Sequence, residues 1–222
     1  MKVDFDEYAS DYESLLKGQL GFFNAERDYF SEYKVRVVRE RTASHAARIL
    51  DFGTGIGLTL PFVRKWFPSA EIHASDISEA SLDRVRARHT DVTIVRDRDL
   101  VPDQYDIILV ITVIHHVAPD LRPELFRRLE TLLRPGGELW IFEHNPYNPI
   151  TQRMVSTCPF DEDAVLISAR RLARLIEHAS GLEVIDQGYT LFFPQAMSAL
   201  RPVERHLRWL PLGGQYHVTA RR

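Results

Sequence analysis

The sequence predicts an α/β fold, an open sheet of mainly parallel strands with helices around it, and three observations carry that prediction. Short apolar runs alternate with stretches of helical period through residues 47–220. The run Ile49-Leu50-Asp51-Phe52 leads straight into Gly53-Thr54-Gly55-Ile56-Gly57, and residues 58–67 then read as a helix. The run Asp106-Ile107-Ile108-Leu109-Val110-Ile111-Thr112 is almost continuously apolar, as expected of a parallel strand covered on both faces.

The glycine turn is the most informative stretch. Strand, glycine turn and helix form the arrangement in which an open α/β sheet receives a nucleotide-like ligand. Glycine serves because the turn needs φ angles that a Cβ disfavours, and because the ligand must touch backbone. The helix start aims free N–H groups at the ligand. Pro61 falls in the first turn, where its missing N–H costs little. A dinucleotide loop, G-x-G-x-x-G, would need glycine at 58, where Leu58 stands. The pattern is D-x-G-x-G-x-G, from Asp51 to Gly57. Here the sequence resembles the class I S-adenosylmethionine-dependent methyltransferases, whose first motif has this form. The alternative is a glycine-rich turn with no ligand.

The resemblance implies a Rossmann-like seven-stranded sheet of order 3-2-1-4-5-7-6, with strand 7 antiparallel and an N-terminal helical cap. It implies S-adenosylmethionine as methyl donor and S-adenosylhomocysteine as product. It assigns Asp51, Gly53, Thr54, Gly55 and Gly57 to the cofactor.

Length bounds the rest. The 222 residues predict a single domain, with 1–46 as the cap, 47–222 as the core and 194–214 as an insert. With 45% hydrophobic residues the chain can bury a substantial core. A net charge of −3, from 28 basic and 31 acidic residues, gives no electrostatic footprint for nucleic acid. Cys158 is the only cysteine, so no internal disulfide forms, and a reducing, cytoplasmic setting is expected. The first residues are acidic and lack the apolar core of a signal peptide. Residues 107–114 are too few to span a bilayer, so no stable membrane insertion is expected. No metal site is expected.

In chain order, residues 4–46 read as helices, with Phe5, Tyr8 and Tyr12 at helical spacing. The resemblance places such helices over cofactor and substrate and nominates Tyr12 and Lys34 as ligand contacts. The plainer alternatives are core packing for the aromatics and a solvated Lys34. Residues 47–52 form the first strand. Glu71-Ile72-His73-Ala74-Ser75-Asp76 forms the second and ends in an acid 19 residues after Gly57. That distance fits a crossover helix and a return strand, and puts a carboxylate where it can accept both ribose hydroxyls. The resemblance makes Asp76 the ribose ligand, with Ile77 beside it; the alternative is an N-cap or turn role before the helix at 78–89. Residues 92–95 form the third strand. In the family an acid follows it, against the adenine amino group; Asp97 matches best and Asp99 second.

The fourth strand delivers Thr112, His115 and His116 to the mouth of the site, where the family resemblance continues. An amphipathic helix spans 121–133 and ends at Arg134-Pro135-Gly136-Gly137, with glycine supplying the turn. The fifth strand, 138–142, ends in Glu143-His144-Asn145-Pro146-Tyr147-Asn148-Pro149. Prolines hold the preceding asparagines extended, so the loop either presents polar groups or is a rigid connector. Residues 154–163 read as irregular, 168–179 as a helix, and 182–193 and 215–220 as the last two strands. Within the insert, Met197, Leu200, Val203, Leu207 and Leu210 align on one face, and Pro202 interrupts any single helix.

The resemblance implies methyl transfer to a small-molecule acceptor through an oxygen, nitrogen or carbon nucleophile. His115, His116 and His144 are the candidate bases, with Glu143 orienting one of them or acting as base if burial raises its pKa. The other classes are a nicotinamide-dependent oxidoreductase, opposed by Leu58, and a non-catalytic cofactor-binding module.

Overall fold

The computed structural model describes residues 27–42 and 46–222. Helix α1 (Arg27–Arg41) precedes β1 (Arg48–Phe52), α2 (Leu60–Trp66), β2 (Glu71–Ser75), α3 (Glu79–Arg88) and β3 (Thr93–Ile94). Then follow β4 (Tyr105–Ile111), α4 (Arg122–Leu132), β5 (Leu133–His144), α5 (Pro149–Thr157), α6 (Ala169–Ala179) and β6 (Glu183–Thr190). The short helix α7 (Glu204–Leu207) and β7 (Gln215–Arg221) complete the chain. The strands form one seven-stranded sheet in the order β3-β2-β1-β4-β5-β7-β6. Pairing is parallel from β3 to β5, and β7 runs antiparallel to both β5 and β6. The expected strand order is the one observed.

Alternation along the central strands divides the core into two layers. Ile49, Ile107, Leu109, Trp140 and Phe142 face α1 and α2, meeting Val35, Val38, Leu60 and Val63. Leu50, Ile108, Val110, Leu139 and Ile141 face the opposite way, onto Phe126, Leu129 and Leu132 of α4 and Leu172 and Ile176 of α6. Both faces of the parallel strands are thus sealed, and the C-terminal strand edge is where a ligand can enter.

Several boundaries differ from the sequence expectation. The fifth strand begins at Leu133 rather than 138. Leu133 already pairs with Tyr105, and Arg134-Pro135-Gly136-Gly137 bulges between that pair and Ile107–Glu138. Gly136 (φ +80°) lets the bulge form, and the end of β7 closes it through Gly136 N–H to Arg222 O and Arg222 N–H to Gly137 O, at 2.8 and 3.0 Å. The glycines therefore shape a bulge inside the strand, where a helix-ending turn was expected. β6 stops at Thr190, because Leu191 adopts φ +60° and swings the chain out of the sheet. β3 has only two residues. Of the N-terminal cap, α1 is described; Tyr12 and the helices expected over 4–26 lie outside the described residues.

Candidate active site

The ends of β1 and β2 are held together by Ser75, whose carbonyl accepts from Gly53 N–H (2.8 Å) and Thr54 N–H (3.0 Å). Gly53, Gly55 and Gly57 all adopt positive φ, at 72°, 54° and 80°. Their surroundings differ. A Cβ on Gly53 would stand 2.5 Å from Val113 Cγ2, and one on Gly57 would stand 3.0 Å from Leu60 Cδ1. A Cβ on Gly55 would meet nothing within 4 Å. Packing thus excludes a Cβ at Gly53 and crowds one at Gly57, whereas Gly55 borders open space.

Asp51 lies beneath this turn, buried, and accepts from Thr54 Oγ1 at 2.8 Å. Burial pushes its carboxyl up to about 6; the Thr54 hydrogen bond opposes this and the nearby Asp76 charge reinforces it. Asp76 follows β2. Its Oδ2 accepts from Gly55 N–H at 2.7 Å and its Oδ1 from Ser78 N–H at 2.9 Å. It therefore makes the turn before α3 and also reaches across to the glycine loop. Ser78, not Asp76, caps α3, accepting from Ser81 N–H. Ile77 is 74% exposed beside this carboxylate. Asp97 opens a 3₁₀ turn (Asp97–Asp99) after β3, with its side chain exposed and its carbonyl accepting from Arg128 at 2.9 Å. Thr112 follows β4 at φ +55°, a conformation that costs on the order of 1–3 kcal/mol outside glycine. Its N–H donates to Phe142 O at 2.8 Å.

A second group of side chains sits at the ends of β4 and β5. Glu143 Oε1 accepts from Ile114 N–H and Oε2 from His115 Nδ1–H, both at 2.7 Å. His115 and His116 belong to a 3₁₀ turn (Ile114–His116), with ring centroids 4.0 Å apart; the His144 ring is 5.1 Å from that of His115. Gln215 Nε2 lies 3.3 Å from His144 Nδ1. Asp161 Oδ1 stands 3.4 Å from His115 Nε2 and 3.5 Å from His116 Nε2.

Electrostatics sort these groups. Burial favours neutral His115, but Glu143 and Asp161 outweigh it and raise the imidazole to about 10. Burial, then the His115 charge, lower both His116 and His144 to about 4. For Glu143 burial acts upward, but His115 and His144 hold the carboxyl down at about 2. Glu143 is thus placed to orient His115, and its partners reverse the upward effect that burial has on its carboxyl. Lys34 corrects another default. It is buried, not solvated; burial lowers its ammonium to about 8, with Glu143 opposing, and its charge acts on His144. Residues 154–157 belong to α5 rather than to an irregular stretch, and Asp161 was missed in sequence because the residues after that helix carry no periodicity; the acidic triplet Asp161-Glu162-Asp163 was the available signal.

The loop after β5 is a connector. Asn145 is fully buried and donates to Pro211 O (3.1 Å) and Gly213 O (2.8 Å). Asn148 caps α5, accepting from Ile150 and Thr151 N–H at 3.0 Å each. The insert folds as a 3₁₀ stretch (Gln195–Val203), kinked at Met197, and α7. Buried Glu204 fastens it to the end of β6, accepting from Phe192 and Phe193 N–H at 3.2 and 3.1 Å. Met197, Leu200, Val203, Trp209 and Leu212 are exposed on it.

Residues 50–139, which contain the glycine turn, Asp76 and the paired histidines, match the family model of a methyltransferase domain. Over those residues the chain matches a methyltransferase domain, and its seven-stranded sheet has the strand order that the resemblance implied. An S-adenosylmethionine-dependent methyltransferase from Archaeoglobus fulgidus shares the fold at TM-score 0.62 and 16% identity, over 87% of this chain and 98% of that one. One from Aquifex aeolicus does so at TM-score 0.65 and 16% identity, over 89% and 93%. Identities this low speak for the fold alone. An uncharacterized protein of Synechococcus sp. is 30% identical over 148 residues, 62% of this chain and 35% of that protein. The match therefore spans about a third of that curated relative's length. Among the described residues, no helix is long and apolar enough to cross a membrane.

Proposed function

We propose that the chain is a single-domain enzyme that transfers a methyl group from S-adenosylmethionine to a small-molecule acceptor. The observation that carries this is the open space beside Gly55, at a positive-φ turn whose N–H is held by Asp76. Positive φ by itself already favours glycine there, but no packing neighbour fills the space beside it, which leaves that space free for a ligand. Asp76 has the carboxylate to take the ribose hydroxyls, giving up its bond to Gly55 as it does so. Exposed Ile77 and the 3₁₀ turn at Asp97 suit the adenine, apolar contact from the first and an amino-group acceptor from the second. Asp51, Thr54 and Thr112 line the turn toward the amino-acid end of the cofactor.

When bound, the cofactor supplies a sulfonium that makes its methyl group electrophilic. The protein's part is to fix the acceptor in line with that methyl and exclude water, which can account for much of the acceleration. His144, held neutral and near Gln215, is the residue we assign to take the acceptor's proton. Glu143 and His115 position it: their pair is fixed at 2.7 Å, and the His144 ring packs against His115. Lys34 sits in the field of Glu143 and is the cation we assign to a cofactor or acceptor carboxylate. The insert forms one wall of the acceptor side, and its exposed apolar residues favour a partly apolar acceptor, including sugar- or lipid-linked ones.

The test is S-adenosylhomocysteine formation from S-adenosylmethionine in the presence of fractionated metabolite extract. Product that depends on a fraction and disappears in Gly55→Val supports the reading. Cofactor binding without product from any fraction supports the binding module instead.

A further inference from the structure

We propose that His115, His116 and Asp161 form a binding site for a single divalent transition-metal ion at the C-terminal edge of the sheet. The three side chains each offer one ligating atom, and these atoms lie within 4.8 Å of one another. Two imidazoles and one carboxylate form a donor set that suits Zn²⁺, Fe²⁺ or Co²⁺ better than the oxygen-seeking Mg²⁺ or Ca²⁺.

The spacing favours a metal over a hydrogen-bonded triad. A charge-assisted hydrogen bond is about 2.7–2.9 Å long. Asp161 Oδ1 instead stands 3.4 Å from His115 Nε2 and 3.5 Å from His116 Nε2. Ligands bonded at roughly 2.0–2.1 Å to a tetrahedral ion lie about 3.4 Å apart. Two of the three edges thus already have the length that an ion would impose. The third needs at most about 1.4 Å of side-chain movement to reach it, judged from the 4.8 Å limit.

The surroundings supply what such a ligand set needs. Metal-bound histidine typically donates its other ring N–H to a carboxylate, which fixes the tautomer and strengthens the ligand. Glu143 Oε2 accepts from His115 Nδ1 at 2.7 Å, which leaves His115 Nε2 turned toward Asp161. Glu143 is itself buried and anchored by Ile114 N–H. The ligands come from the turn after β4 and from the 3₁₀ turn Pro159–Asp161, so packing brings together residues 45 apart in sequence without any local motif. The side chains of His115, His116 and Asp161 are 1%, 17% and 10% exposed, so the site is enclosed but reachable. Three protein ligands leave a coordination position open, as in catalytic rather than structural sites. The acceptor class that fits carries an oxygen able to occupy that position. Binding of the ion at these side chains does not depend on whether the glycine turn holds the sulfonium cofactor.

The competing occupant is a proton on His115 shared between Glu143 and Asp161, and the experiment separates the two. The untagged full chain, stripped with chelator, is titrated with Co²⁺ followed by visible absorption and with Zn²⁺ by calorimetry. One equivalent should bind, with the intense d–d bands of low-coordinate Co²⁺. Asp161→Asn and His116→Ala should each weaken binding by more than the ~10–100-fold that loss of an outer-shell partner costs, and Glu143→Gln should fall within that range. Melting temperature and S-adenosylhomocysteine affinity of Asp161→Asn serve as fold controls. If no one-equivalent site appears, or if Asp161→Asn and His116→Ala bind as the parent chain does, the cluster is a protonated ion pair and the metal site is refuted.

Discussion

Adding one methyl group at Gly55 and at Gly53 should separate ligand contact from packing. Both glycines have positive φ, so alanine at either costs backbone strain of about 1–2 kcal/mol, partly offset by about 0.4–1 kcal/mol from a stiffer unfolded chain. At Gly55 the new Cβ meets nothing within 4 Å, so the net loss should be about 1 kcal/mol, a fall of roughly 2–4 °C in Tm for a chain of this size. At Gly53 the Cβ would sit 2.5 Å from Val113 Cγ2, and that overlap adds about 1–3 kcal/mol. If the space beside Gly55 belongs to the cofactor, Gly55→Ala moves the same order of overlap onto the ligand, weakening S-adenosylhomocysteine by roughly 5–150-fold. Scanning fluorimetry gives the two Tm values and calorimetry the Kd. Parent-like affinity in a folded Gly55→Ala variant would refute the assignment of that space.

Three further outcomes follow from the geometry. Burial raises the Asp51 carboxyl from 3.8 to about 6, so the folded state holds its proton more tightly than the unfolded chain. Its contribution to stability therefore declines as pH rises from about 4 to about 6, by on the order of 2–3 kcal/mol, and Asp51→Asn should be more stable than the parent at neutral pH. A cofactor ammonium beside the carboxylate makes affinity rise by up to about tenfold per pH unit towards about pH 6 and then level off, a slope that calorimetry should find missing in Asp51→Asn. His144→Ala should lower turnover by about 10²–10⁴ while leaving S-adenosylhomocysteine affinity nearly intact; a loss of only a few-fold would mean catalysis by positioning alone. Replacing exposed Leu200 and Val203 with serine should raise KM for the acceptor without moving Tm or cofactor Kd, whereas a collapse in Tm would make the insert scaffold.

Much of the fold was legible because burial on both faces writes itself into sequence. The run at 106–112 became β4, and strand order followed from the family resemblance rather than from any single element. Boundaries failed where tertiary pairing overrode local signals. Gly136 has the residue type of a helix stop, yet the end of β7 recruits it into a bulge. Leu191 lies in an apolar run that reads as strand, and only its positive φ ends β6. At the site, the turn, Asp76 and the paired histidines were visible because their spacing is local. Asp161 was not, since it reaches the histidines from an aperiodic segment 45 residues downstream. Lys34 could not be told from a solvated lysine in sequence because burial of a lysine depends on tertiary packing; in the fold it is buried, within the field of Glu143.

The most direct test of cofactor binding at the turn and Asp76 is calorimetric titration of the full chain and of Asp76→Ala with S-adenosylhomocysteine, alongside NAD. The account predicts one site for S-adenosylhomocysteine, none for NAD, and a loss of about 1.5–3 kcal/mol, roughly 10–150-fold, in folded Asp76→Ala. Equal affinity in the variant, or NAD binding more tightly than S-adenosylhomocysteine, would contradict it.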